Sequence, residues 1–163
     1  MSARRFALLA GVALLAACGF ELRRAPELNF KTVQLKGFKP LSPLATELKR
    51  SIDASRTTQV VDGPQQAQVV LEALADSREK SVVASTATGE VRELQLRSRI
   101  SFRLRSLAGK ELITATEIVL SRDMSYNETN ALAKEQEEAL LYRAMQSDIV
   151  AQIMRRLASV PAF

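Results

Sequence analysis

The chain contains no His and no Trp, and a single Cys among its 163 residues. Without His there is no His-based general base, no His-containing catalytic triad and no His metal ligand. One Cys cannot form an internal disulfide, a zinc cluster or a C-x-x-C redox pair. Aromatic residues make up 5%, and the six glycines build no phosphate-cradling loop. No Gly-x-Ser-x-Gly motif occurs either. The residues give catalysis no positive support, so the chain is read as a non-enzyme, without metal or diffusible cofactor. What remains is 23 Lys+Arg against 18 Asp+Glu, a formal charge of +5, and the length of one ordinary domain.

The lone Cys is the most informative residue. Arg4 and Arg5 form a short positive region, Phe6 to Leu15 is an apolar run broken only by Gly11, and Ala16-Ala17 follow. This is the layout of a bacterial secretory signal, and the run falls short of the roughly 20 residues needed to span a bilayer as a helix. Leu15-Ala16-Ala17-Cys18 has the form of a lipobox, in which cleavage precedes a thiol that has received diacylglycerol. An N-acyl chain (palmitate, for example) added to the same residue gives more than one anchor, enough for stable membrane attachment. Gly19 rather than Asp follows the Cys, which directs the product to the outer membrane of a Gram-negative cell. Cleavage also discards Arg4 and Arg5, lowering the formal charge by two units. The expected divisions are a leader at 1–17, an anchor and extended tether at 18–30, and one domain at 31–163.

Within that domain the pattern is strands, then helix. Thr32–Leu35 reads as a short strand, and Ser42-Pro43 as an N-cap with Pro in the first turn. Leu44, Leu48 and Ile52 recur every four residues, predicting an amphipathic helix from Pro43 to about Ser55. Gln59–Val61 is a candidate short strand. Gln68 to Ala84 is apolar at both ends and charged in the middle, and fits one long strand or two short ones. From Glu93 to Ser106, Leu94, Leu96, Ser98, Ile100, Phe102 and Leu104 alternate with Gln95, Arg97, Arg99, Ser101, Arg103 and Arg105. That period of two predicts a long strand with one core face and one polar face. Ala108-Gly109-Lys110 closes a hairpin to a return strand, Glu111 to Asp123, with Leu112, Thr114, Thr116, Ile118 and Leu120 on one face. After Tyr126, with Asn127 or Thr129 as cap, Leu141, Met145, Ile149, Ile153 and Leu157 predict a helix of about 30 residues. The expected fold is α+β: an antiparallel or mixed sheet of about four strands with two helices on one face.

Arg97, Arg99, Arg103 and Arg105 form a basic stripe along one strand face. Arg is suited to bidentate phosphate binding, while the plainer reading is an exposed face kept soluble. Secretion and the absence of interleaved aromatics speak against nucleic acid. The abundant phosphate-bearing partner in the periplasm is lipopolysaccharide. The acidic run Glu135-Gln136-Glu137-Glu138 reads as a solvated helix face, because adjacent helical side chains diverge.

Cys18-Gly19-Phe20-Glu21-Leu22-Arg23, together with Leu132-Ala133-Lys134-Glu135-Gln136-Glu137-Glu138 and Ile153-Met154-Arg155-Arg156-Leu157, resembles the lipopolysaccharide-assembly lipoprotein family LptE. The resemblance extends over essentially the whole chain after Ala17, and it implies two helices on a small sheet. It also implies a plug inside the outer-membrane barrel LptD, helping to assemble it and to deliver lipopolysaccharide to the outer leaflet. It makes Lys134 a candidate lipopolysaccharide contact beside the four arginines. Where relatives carry a basic residue in the turn before the long hairpin, this chain has Ala87-Thr88-Gly89, which leaves Lys80 or Arg92 to supply a phosphate contact there. The alternative from another class is an auxiliary lipoprotein of a periplasmic lipid or solute transport system of the ABC type.

Overall fold

The computed structural model describes residues 26–162; the expected leader at 1–17, Cys18 and residues 19–25 lie outside the described residues. The strands are β1 (Thr32–Lys36), β2 (Gln59–Val60), β3 (Val69–Ser85), β4 (Val91–Ser106) and β5 (Glu111–Ser125). The helices are α1 (Pro43–Asp53), between β1 and β2, and α2 (Ala131–Ala158), after β5. All strands join one sheet in the order β2-β1-β3-β4-β5. β1 runs parallel to β2 and β3, while β3, β4 and β5 form an antiparallel meander. The class is α+β as expected. The sheet has five strands rather than about four, because the two-residue β2 pairs with β1 through Thr32–Gln59 and Val33–Val60.

Both helices cover the same face of the sheet. Leu44, Leu48 and Ile52 of α1 are buried together with Ile149, Ile153 and Leu157 of α2, and with Val33, Leu71, Ile100, Phe102 and Leu104 of the sheet. Each such side chain contributes on the order of 1.5–3 kcal/mol by leaving water. The alternation in β4 holds: Leu94, Leu96, Ser98, Ile100, Phe102 and Leu104 are buried, and the intervening residues are not. Helix α1 starts where Ser42 and Pro43 dictate, with the Ser42 hydroxyl accepting from the Ala45 N–H at 3.4 Å. A single turn at Glu128–Asn130, capped by the Asn127 side chain, leads into the 28-residue α2. The segment before β1 is not a free tether at its described end. Leu28 and Phe30 are buried, and the Asn29 amide donates to the Val160 carbonyl at 2.7 Å.

Two irregularities change which residues face the helices. In β3 the register shifts between Ala73 and Ala75, leaving Leu74 as the extra residue of a bulge. Val69, Leu71 and Ala73 face the core before it; Asp76, Arg78, Lys80 and Val82 take that face after it, opposite Ile100, Ser98, Leu96 and Leu94. In β5, shifts opposite Leu104 and its neighbours pair Ile113 with Leu104 and leave Thr114 exposed. The expected face of Leu112, Thr114, Thr116, Ile118 and Leu120 is therefore broken at Thr114, because each added residue reverses the phase. Gly37 sits at the first bulge with φ +78°, so close to the Ala73 carbonyl that a Cβ would overlap it.

Candidate functional site

The four stripe arginines lie together on the sheet face that no helix covers. Acids from the strands on either side interleave with them. Arg103 donates from Nε to Glu72 Oε2 at 2.8 Å, and its second terminal nitrogen lies 2.7 Å from the same oxygen. Its first terminal nitrogen is 4.0 Å from Glu111. Arg99 Nε stands 3.6 Å from Glu117, and that nitrogen is buried without a hydrogen-bond partner. Arg97 lies opposite Glu79 and Ser121, and Arg105 opposite Val70 and Glu111. Among the described residues neither Arg97 nor Arg105 is held in an ion pair. Acids thus interleave with the basic stripe, and among the described residues Arg97 and Arg105 are its cations outside the ion pairs. The Arg103 hydrogen bond holds the Glu72 carboxyl below its ordinary range, against a smaller opposing effect of burial.

Lys134 is elsewhere. It belongs to the first turns of α2, where its ammonium donates to Glu137 at 2.8 Å and to the Ser125 hydroxyl at 3.0 Å. The structure therefore gathers the four arginines and sets Lys134 apart from them, in the helix layer. The side chain of Lys134 is mostly enclosed by these contacts, at 19% exposure. Cys18 lies outside the described residues.

A second polar group was hidden from the sequence by the β3 bulge. It lines a cleft of about 530 Å³ between β3, Pro43 and α2, formed by Arg78, Lys80, Glu135, Glu138, Tyr142, Arg143 and Gln146. A neighbouring hollow of about 360 Å³ shares Pro43, Arg78 and Gln146 with it. Arg78 donates to the Gln146 side-chain oxygen at 2.8 Å and stacks over the Tyr142 ring at 5.2 Å. Gln146 donates in turn to Glu47 at 2.6 Å, and Ser147 donates to the other Glu47 oxygen at 2.6 Å. Lys80 pairs with Glu138 at 2.9 Å, which raises the ammonium above its ordinary value. Burial raises the Tyr142 hydroxyl above its own. This network binds α1, α2 and β3 by polar contacts beside the apolar core. Of the two residues the sequence offered for the distal turn, Lys80 is on the cleft, while Arg92 sits apart with Glu90 and Asn127. The one signal for the cleft was the charged middle of the Gln68–Ala84 stretch.

Among the described residues, no group of three His, Cys, Asp or Glu side chains converges as metal ligands would. No helix among them is long and apolar enough to cross a membrane.

The family model described as LptE, lipopolysaccharide-assembly, matches residues 30–157. The LPS-assembly lipoprotein LptE of Pectobacterium atrosepticum is 26% identical over 164 residues, covering 98% of this chain and 88% of its own. The Yersinia pestis protein of the same name is 27% identical over 166 residues, with coverages of 99% and 79%. Among solved structures, lipoprotein B from Nitrosomonas europaea superposes with a TM-score of 0.72 at 33% identity, over 86% of this chain and 91% of that one. The rare lipoprotein B from Shewanella oneidensis gives 0.65 at 26% identity, over 79% and 95%.

Proposed function

Because the chain belongs to the LptE lipopolysaccharide-assembly family, we propose that it is an outer-membrane lipoprotein, lipidated at Cys18, that plugs the LptD barrel and binds lipopolysaccharide on its way to the outer leaflet. The observation that carries the plug reading is the uncovered sheet face. Three long strands present Glu72, Arg97, Arg99, Arg103, Arg105 and Glu117 on it, a broad surface of paired charge with no helix above. The lumen of a large barrel is polar and water-filled unless plugged, and a surface of this kind can meet it without stranding apolar area.

Lipopolysaccharide carries phosphates, and a guanidinium not already held by a carboxylate is the stronger candidate to bind one. Arg97 and Arg105 meet that condition within the stripe, whereas Arg99, Arg103 and Lys134 would first exchange a protein partner for the ligand. Arg97 and Arg105 are therefore the leading contacts, and Lys134 is a separate one that must first release Glu137. No chemistry beyond binding is needed, since delivery moves the lipid without altering its bonds.

Two measurements test this reading. Purification from a Gram-negative host is expected to bring down a large outer-membrane barrel whose maturation fails when this chain is depleted. Lipopolysaccharide binding by the purified protein is expected to weaken in the Arg97→Ala/Arg99→Ala double variant and in Lys134→Ala, with the fold intact. Association with an inner-membrane transporter and unchanged barrel maturation would instead favour a transport-system auxiliary. Unchanged binding in the variants would return these residues to a solvated face.

A further inference from the structure

The loop joining β1 to α1 holds a leucine in an unusual state. Leu41 is 98% exposed and has φ +56°, the left-handed region that a side chain with a Cβ enters at a cost. Its neighbours hold it there. The Ser42 N–H donates to the Lys39 carbonyl at 3.1 Å, Ser42 caps α1, and Pro40 and Pro43 fix φ on either side. Gly37 seats the base of the loop against the Ala73 carbonyl. A scattered exposed leucine needs no explanation, but one projected clear of the surface by a strained, braced loop does.

The surroundings indicate what it meets. Leu41 borders a groove with Leu35, Val60 and Val61 on its floor and Lys39 and Lys49 on its rim. Lys36 and Arg50 are exposed on the strand and helix that the loop connects. The acids near these groups are Asp62 in this groove, Asp76 in the neighbouring hollow, and Glu72, the register partner of Lys36 on β3. An apolar tip with cations outnumbering acids around it matches the boundary of an anionic bilayer, where a leucine enters the acyl region and lysines meet headgroup phosphates. We infer that Leu41 is a membrane-inserting finger, and that its loop gives the chain a contact with anionic phospholipid in addition to any lipid on Cys18. This goes beyond the barrel reading and describes the chain before it engages a partner.

The chain has no Trp, so Leu41→Trp places one fluorophore at the tip. The purified full-length lipoprotein carrying it would be reconstituted into vesicles of phosphatidylethanolamine and phosphatidylglycerol, without any barrel. The expected result is emission shifted to shorter wavelength and quenched by brominated acyl chains, both effects falling severalfold in a Lys36→Gln/Lys39→Gln/Lys49→Gln background. Leu41→Gly separates this role from a structural one. It relieves the backbone strain, so it is expected to raise thermal stability while weakening loop contact, read as greater protease access to the loop on vesicles. Emission at the solvent-exposed wavelength with no quenching would overturn the inference. So would a shift that arises only after a barrel protein is added, which would give Leu41 to a protein interface.

Discussion

Arg103 on β4 and Glu72 on β3 face each other across the open side of the sheet, guanidinium to carboxylate at 2.7 Å. This pair sets the character of that face. A strand that presents four arginines on this face is joined to neighbours that return acids to it, so the face is polar without being strongly cationic. Such a surface tolerates close approach by another polar wall better than four unpaired arginines would, because like charges are not left to repel.

Removing the cation of this pair should release the carboxylate. The Arg103 hydrogen bond holds the Glu72 pKa below its ordinary value of 4.5. A carboxyl lowered in the folded state contributes stability above its unfolded pKa and loses it as pH falls through the folded value. In Arg103→Gln, an NMR titration should show the Glu72 midpoint moving up toward 4.5. The wild-type chain should lose stability across the acid range below that pH more steeply than the variant does.

Gly37 is expected to be intolerant of any side chain. Its positive φ and the adjacent Ala73 carbonyl mean that a methyl group has neither the conformation nor the space it needs. Gly37→Ala should cost about 1–3 kcal/mol in chemical unfolding. The loss should be accompanied by increased amide exchange near the Leu74 bulge, where the loop is seated.

Gln146 is buried between two charged partners, accepting from Arg78 and donating to Glu47. Gln146→Leu keeps the approximate volume and removes both bonds. It should destabilise the domain by about 1–3 kcal/mol, because a buried polar partner left unmatched bears a desolvation cost. Glu47→Gln in the same background should add less than it does alone, since both act through one network.

The legible and illegible parts of this fold divide along physical lines. β4 was readable because Leu94 to Leu104 alternate without interruption and one face is buried along the whole strand. α2 was readable from Met145, Ile149, Ile153 and Leu157, which form one row at helical spacing and are all buried. The extent of β3 was readable as the single-strand option for Gln68–Ala84, but its facing was not, because a bulge at Leu74 reverses the phase and turns Asp76, Arg78 and Lys80 toward the helices. Nothing in the composition near Leu74 announces the added residue. The same cause hid the Arg78–Tyr142–Gln146 cleft, which needs residues from β3 and α2 that are 64 or more positions apart. The arginine stripe was correctly placed on one face, but its partners Glu72 and Glu117 belong to other strands, so its charge balance could be read only once the strand register was known.

If the uncovered sheet face lies against the wall of the partner barrel, a photo-crosslinker placed at Ser101 in living Gram-negative cells will reach that wall. Ser101 lies mid-strand among the arginines, opposite Glu117 and Ala75. The expected product is an adduct between this chain and a large outer-membrane barrel, with the LptD protein identified in it by mass spectrometry. A probe at Ser101 that yields no barrel adduct, while the same probe on the outer face of α2 at Gln136 does, would contradict that placement of the face.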